Sequence, residues 1–147
     1  MTKPFSLQPV LELMQARSDE ATQNLARLIA SERDAKSKFD MLEQYRAEYA
    51  QRFQQAAGNG MTPREWHNYR EFLSRLDEAI DVQRKVVNQQ ALNTAAGQQV
   101  WQQQRTKLKA IDTLSARHYS NENALESKRI QKTQDEFAAR SKKTDDA

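Results

Sequence analysis

The feature that most constrains this chain is the near absence of helix-breaking residues from two long stretches. No glycine or proline occurs between Pro9 and Gly58, and after Pro63 the only one is Gly97. Both stretches are rich in Ala, Gln, Glu, Arg, Lys and Leu, which are favourable helix formers. The sequence therefore predicts two long α-helices joined by one short turn.

The turn has recognisable signals on both sides. Gly58 suits the left-handed backbone conformation that often follows a helix end. Thr62 is a favourable N-cap, Pro63 then occupies the first helical position, and Glu65 completes a capping box. We therefore expect a single coiled-coil domain over residues 1–147, consisting of a helix at about 7–57, a turn at 58–63, a helix at about 63–138 and a frayed tail at 139–147.

Apolar residues recur every seven positions along both helices, which is typical of a left-handed coiled coil. When the chain is folded back at the turn, large side chains meet small ones, with Trp101 opposite Ala21 and Leu25 opposite Gly97. The predicted seam contains Leu11, Met14, Ala21, Leu25, Leu28, Leu42, Tyr49, Trp66, Leu73, Ile80, Val87, Gly97, Trp101, Leu108 and Ile111. We predict an all-α fold, an antiparallel two-helix coiled-coil hairpin with a longer C-terminal helix.

The apolar content is sufficient only for such a narrow seam. It is 37% by residue, below the roughly 45–50% typical of globular domains. Beyond Ser115 the second helix has no partner left in the first helix, and apolar residues become sparse from Asn121 onward. We expect this polar overhang to fray, because an isolated polar helix is only marginally stable.

Catalysis finds little support in the sequence. The two histidines, His67 and His118, belong to no metal-ligand spacing, the chain has no cysteine, and no glycine-rich phosphate loop is present. His118 falls in a seam position near the end of the pairing, where a packed structural histidine is the more common case. We predict a protein that is not an enzyme, with no catalytic residue, no cofactor and no metal ligand.

The charges exclude some partners and leave one alternative open. Lys and Arg number 23 against 20 acidic residues, and the two signs interleave along most of the chain, so we expect no nucleic-acid partner. A basic cluster of Arg105, Lys107, Lys109 and Arg117 nevertheless leaves a generic structural or nucleic-acid-binding coiled coil as an alternative. The lack of a long apolar run, a signal peptide or a cysteine predicts a cytoplasmic protein without direct membrane insertion.

Several apolar residues lie beside the seam rather than in it. These flanking g positions are Tyr45, Phe72, Ala79, Val86 and Val100. We expect Leu42, Tyr49 and Leu76 to be partly exposed next to Tyr45. An apolar patch on an otherwise charged surface predicts a protein-binding site, while the alternative is a slightly widened seam.

The order of these residues resembles that of FliJ, the family of small coiled-coil proteins of the bacterial flagellar export apparatus. The resemblance rests on three groups of residues: Gly58-Asn59-Gly60 with Trp66, Asn68-Tyr69, Phe72, Leu76 and Ala79-Ile80; Met41-Leu42, Tyr45 and Glu48-Tyr49; and Asp135-Glu136-Phe137-Ala138. It covers nearly the whole chain and includes the position of the turn.

The resemblance implies a fold similar to the stalk subunit of rotary ATP synthases. It implies three partners: the hexameric export ATPase, reached through the two chain ends at roughly residues 1–30 and 110–147; the cytoplasmic domain of the membrane export gate; and export chaperones. It also implies peripheral association with the inner membrane at the flagellar base. The equivalent stalk of a virulence type III secretion system is an alternative with the same architecture.

The gate-binding residues of the family correspond here to Leu42, Tyr45, Tyr49, Phe72, Leu76 and Ala79. This set coincides with the patch located from the heptad positions. Lys38 and Gln83 depart from the family pattern, in which relatives carry what look like Gln and His, so we leave both out of the expected patch.

Overall fold

The computed structural model describes residues 3–145 of the 147-residue chain. Two helices, α1 (Gln8–Gly58) and α2 (Pro63–Asp145), contain nearly all of these residues, and no strand occurs among them. The two helices pack against each other and run in opposite directions. The predicted all-α fold of two long helices is confirmed.

Contacts within the chain define two compact units. The first, here called the turn unit, is Ala21–Trp101, and the second, the terminal unit, comprises Met1–Glu20 and Gln102–Ala147. The physical reason is the narrowness of the seam. A side chain in a two-helix seam contacts only the layers next to it, so no side chain links distant layers.

The turn reverses the chain at a different glycine from the one expected. Helix α1 continues through Gly58, and Gly60 has the positive φ, at +92°. The amide of Asn59 still donates to an α1 carbonyl, which delays the reversal by two residues. At the start of α2 the Thr62 hydroxyl accepts a 3.2 Å hydrogen bond from the Glu65 amide, as the capping box predicts.

Contacts across the turn unit follow the antiparallel pairing. The Gln83 amide donates to the Ala35 carbonyl at 3.0 Å, and the Thr94 hydroxyl lies 3.3 Å from the Leu28 carbonyl. Three predicted seam residues are buried, namely Ala21, Ile80 and Gly97. Half-buried seam residues of this unit are Leu25, Leu28, Leu42, Tyr49, Leu73, Val87 and Trp101. Buried and half-buried positions thus repeat at the heptad spacing.

The two tryptophans differ, contrary to expectation. Trp66 is 44% exposed and stacks under the Arg70 guanidinium at 4.7 Å, so it does not belong to the core. It lies in the first turn of α2, where the seam ends and only the small Ala56 was expected opposite it. Trp101 is half-buried, and its Nε1 donates a 3.0 Å hydrogen bond to the Thr22 hydroxyl.

At Gly97 the side chains of α1 lie close to the backbone of α2. A Cβ atom at this position would overlap the Cδ1 atom of Leu28 and lie 3.8 Å from the Cδ1 atom of Leu25. Because Leu28 Cδ1 is the end of a flexible side chain, a single methyl group can be accommodated by a small rotation. A larger side chain has no such room.

Gly97→Ala is therefore expected to leave the free energy of unfolding nearly unchanged. The gain of about 1 kcal/mol in helix propensity offsets the cost of moving Leu28. Gly97→Leu is expected to lower it by about 2 kcal/mol, because two leucines already fill the space. Urea denaturation followed by circular dichroism measures both values. Equal stability of the two variants would contradict the close approach.

Glu32 is a charged side chain within the seam. It is 20% exposed, and its Oε1 atom lies 3.3 Å from Lys36 Nζ. A hydrogen bond with the Thr94 side chain and, after it, the hydrogen bond and charge of Lys36 lower the pKa of Glu32 below its ordinary value of 4.5. The carboxylate is thus more acidic in the folded protein than in the unfolded chain.

This pKa difference predicts how stability depends on pH. With a lower pKa in the folded state, the stabilisation by Glu32 is complete above pH 4.5 and decreases as the pH falls through the folded-state pKa. Glu32→Gln removes this proton linkage, so its unfolding free energy is expected to vary less between pH 4.5 and 3 than that of the parent chain. Chemical denaturation at several pH values tests this, and identical slopes would contradict it.

The terminal unit has seam positions of its own on both helices. Ser18 and Ser115 are buried, and four predicted seam residues are half-buried: Leu11, Met14, Leu108 and Ile111. Beyond Ser115, α2 is contacted by the segment that precedes α1, a partner that the sequence did not predict. We call this segment, residues 3–7, the N-terminal strap.

Helix α2 extends to Asp145, seven residues past its expected end at 138. No glycine or proline interrupts it after Gly97, and Lys142 and Lys143 in its last turn favour the negative end of the helix dipole. The expected frayed tail is thus helical as far as the structure describes it, and residues 146–147 lie outside the described part. All side chains from 127 to 144 are exposed.

Candidate functional site

Five aromatic rings from both helices form a continuous cluster in the turn unit. Tyr49 lies at its centre, with ring centroids 4.3 Å from Phe72 and 5.3 Å from Tyr69. Tyr45 meets Phe72 edge-on at 6.3 Å, and Phe53 packs on Tyr69 at 5.4 Å. Such ring pairs add about 0.5–1.5 kcal/mol each beyond the area that they bury. The cluster is therefore a fixed surface rather than a set of loose side chains.

The predicted patch residues differ in their exposure. Tyr45 is 44% exposed, and Leu42, Tyr49, Phe72 and Ala79 are half-buried. Leu76 is only 7% exposed, so the expectation that it is partly exposed is wrong. It occupies a d position of the heptad, which turns its side chain into the helix pair. Leu76 therefore packs beneath the exposed patch residues and has little surface accessible to a partner.

Sequence reasoning missed part of this surface. Met41 and Val82 are each 62% exposed, and Val86, noted only as a flanking residue, is 39% exposed. Met41 precedes Tyr45 by four residues, while Val82 and Val86 follow Ala79 by three and seven residues, so each lies on the helix face of a patch residue. This spacing was the available signal. Phe53 and Tyr69, which were not assigned to the patch, show the same kind of spacing: Phe53 follows Tyr49 by four residues, and Tyr69 precedes Phe72 by three.

Charged residues form the opposite flank of the turn unit. Arg46 Nε lies 2.9 Å from Asp77 Oδ1, and Arg84 Nη1 lies 2.9 Å from Asp81 Oδ1. The Arg84 guanidinium also lies 5.5 Å above the ring of Phe39. These ion pairs are exposed, and each is worth at most about 1 kcal/mol. One flank is thus aromatic and apolar while the other is ionic, which marks the aromatic flank as the candidate interface.

The histidines take part in local contacts. His67 Nε2 lies 3.8 Å from Glu71 Oε2, and His118 Nε2 lies 2.9 Å from the Lys3 carbonyl. Within residues 3–145 no group of three or more His, Asp or Glu side chains is arranged to hold a metal ion. No helix in this described range is long and apolar enough to cross a membrane.

Lys38 and Gln83, left out of the expected patch, differ in their surroundings. Lys38 is exposed. Gln83 is half-buried in the seam, and its side-chain amide donates a hydrogen bond to the Ala35 carbonyl. Gln83 therefore contributes to the pairing of the helices.

Comparison with known proteins identifies relatives along nearly the whole chain. The family described as "Flagellar FliJ protein" matches residues 2–144. The flagellar FliJ protein of Salmonella typhi is 27% identical over 140 residues, which cover 95% of each chain. The flagellar FliJ protein of Escherichia coli K12 is 26% identical over 140 residues, again 95% of each chain. The match extends over both helices and the turn, so the chain belongs to the flagellar FliJ family.

Proposed function

We propose that this chain is a non-enzymatic, stalk-like coiled coil of the flagellar protein export apparatus. Membership of the FliJ family implies a component of that apparatus, and the two long antiparallel helices are consistent with a stalk comparable to that of rotary ATP synthases. In this role it contacts other proteins in the cytoplasm, next to the inner membrane at the flagellar base.

The turn unit supplies the contact with the cytoplasmic domain of the membrane export gate. The observation that carries this assignment is the one-sided aromatic patch around Tyr45 and Phe72, with an ionic surface on the opposite flank. Interfaces favour aromatic residues and methionine at their centre and have few charges there. Met41, at 62% exposure, extends this composition on α1.

The terminal unit supplies the contact with the hexameric export ATPase, whose assembly and activity the chain promotes. The support is the uncovered stretch of α2, in which every side chain from 127 to 144 is exposed, including Phe137 at 76%. A helix of this length without a partner gains order when it binds one. Assistance to export chaperones is a further part of the proposed role.

Binding of the purified chain to the purified gate domain and to the purified ATPase, measured separately by calorimetry, tests the two contacts. An apolar gate interface predicts a Kd that changes little between low and moderate salt. Duplex DNA serves as the comparison, since phosphate contacts make an affinity fall steeply with salt. No binding to either protein, together with salt-dependent DNA binding, would favour the alternative of a nucleic-acid-binding coiled coil.

A further inference from the structure

The N-terminal strap is held on α2 by one buried ring and two backbone contacts. Phe5 is 7% exposed, one of five buried apolar side chains among residues 3–144, and its ring lies 5.4 Å from that of His118. His118 Nε2 is 2.9 Å from the Lys3 carbonyl, which makes this nitrogen the donor. The Lys3 amide in turn donates to Glu122 Oε2 at 3.3 Å. The strap therefore reaches α2 one to two turns beyond Ser115.

The strap is not an extension of helix α1. Its residues precede the first helical residue, and the Gln8 amide bonds to the Phe5 carbonyl at 3.0 Å to close the first turn. Pro4, next to Phe5, restricts the backbone and so reduces the entropy lost when the strap docks. The seam residues of α1 are spread over many turns, whereas the strap has a single deeply buried apolar anchor.

A segment with so few anchors opens more easily than the helix pair that it covers, because local opening requires only the local contacts to break. On α2 the strap lies over His118 and Glu122, both half-buried in the closed state. Beyond them only Glu126 is half-buried, and every side chain from 127 to 144 is exposed. Opening of the strap would therefore lengthen the uncovered part of α2 by several turns.

We propose that the strap is a latch, closed by insertion of Phe5 beside His118, that keeps residues 115–122 of α2 folded and covers His118 and Glu122 on one face of this stretch. Release of Phe5 exposes this stretch together with the Phe5 ring itself, so that the terminal unit exists in a closed form and an open form. The inference concerns the fold of the chain, and it stands whether or not the proposed contacts with the export ATPase and gate are correct.

Hydrogen exchange measured on the full chain tests the latch. Phe5→Ala is expected to speed exchange of the α2 amides from 115 to 122 by about tenfold or more, because the open form becomes populated. Amides of the turn unit between 73 and 87 are expected to exchange at unchanged rates. Leu13→Ala is the matched control, since Leu13 lies on α1 in the same unit but is 47% exposed. Exchange at 115–122 that is equal in Phe5→Ala and the parent would overturn the proposal.

A thiol probe gives a second measurement, and its comparison of positions 115 and 113 in the parent does not depend on how Phe5→Ala folds. The chain has no cysteine, so Ser115→Cys introduces a single thiol at a site that is 7% exposed. Labelling at position 115 is expected to be slow in the closed form and about tenfold faster when Phe5→Ala is added. Thr113→Cys, at an exposed site two residues away, is expected to label quickly in both backgrounds. Equal labelling at 113 and 115 in the parent would show that the latch does not cover α2.

Discussion

Trp101→Ala is expected to lower the free energy of unfolding by about 3 kcal/mol, because it empties a large space in a seam only two helices wide. The neighbouring helix cannot collapse into this space, since Ala21 opposite it is already small and buried. The variant also loses the hydrogen bond from the indole nitrogen to Thr22. Urea denaturation followed by circular dichroism at 222 nm measures the loss.

Trp66→Ala is the matched control for this prediction. The residue change is the same, but Trp66 is 44% exposed and its ring lies under the Arg70 guanidinium. Its loss is expected to cost less than about 1 kcal/mol, within the usual range for an exposed cation–π contact. Equal costs for the two variants would mean that the register placing Trp101 inside and Trp66 outside is incorrect.

Tyr45→Ala is expected to weaken binding to the proposed partner, the export-gate domain, by at least about thirtyfold, equivalent to about 2 kcal/mol of binding free energy, which is the effect of removing an interface hot spot. At 44% exposure its ring is available to a partner, and its contact with Phe72 holds it in place. Phe72→Ala is expected to have at least as large an effect, because it removes the support of both Tyr45 and Tyr49. Calorimetric titration of the gate domain measures both.

Arg84→Ala is the control for the binding experiment. Arg84 belongs to the ionic flank, where it pairs with Asp81, and its loss is expected to leave the affinity within about twofold of the parent. Leu76→Ala is not used as a patch variant in this experiment. Leu76 is buried, so its truncation would reduce the stability of the fold as well as binding. If Arg84→Ala lost gate binding while Tyr45→Ala kept it, the interface would lie on the ionic flank and the assignment to the aromatic flank would be incorrect.

The sequence predicted the helix pairing well because that pairing depends on period and length. Glycine and proline locate the turn, and the seven-residue repeat then determines which residues face one another. The proximity of Leu25 to Gly97 agrees with this arithmetic, although Leu28 lies nearer still. By contrast, the burial of a side chain depends on the size and position of its neighbours in the adjacent layers, which the repeat does not encode. For this reason Trp66 and Leu76 were assigned the wrong exposure.

The sequence also predicted the centre of the candidate site, but not its extent or the N-terminal strap. Flanking g positions identify Tyr45 and Phe72. Met41 and Val82 lie at positions farther from the seam, where most residues of a helix pair are solvent-exposed. The strap could not be recognised from periodicity, because five residues are too few to establish a repeat. Its anchor, Phe5, is a single apolar residue between Pro4 and Ser6.

The seven-residue seam also limits how the length of the turn unit can change during evolution. An insertion or deletion of one residue in α1 alone would rotate every following side chain away from its partner on α2. A change of seven residues in α1 keeps the seam side chains facing α2. It preserves their pairing only if α2 also changes by seven residues at the position opposite. Insertions and deletions among related chains are therefore expected in matched pairs on the two helices, except beyond residue 126 of α2, where the exposed side chains leave length free to vary.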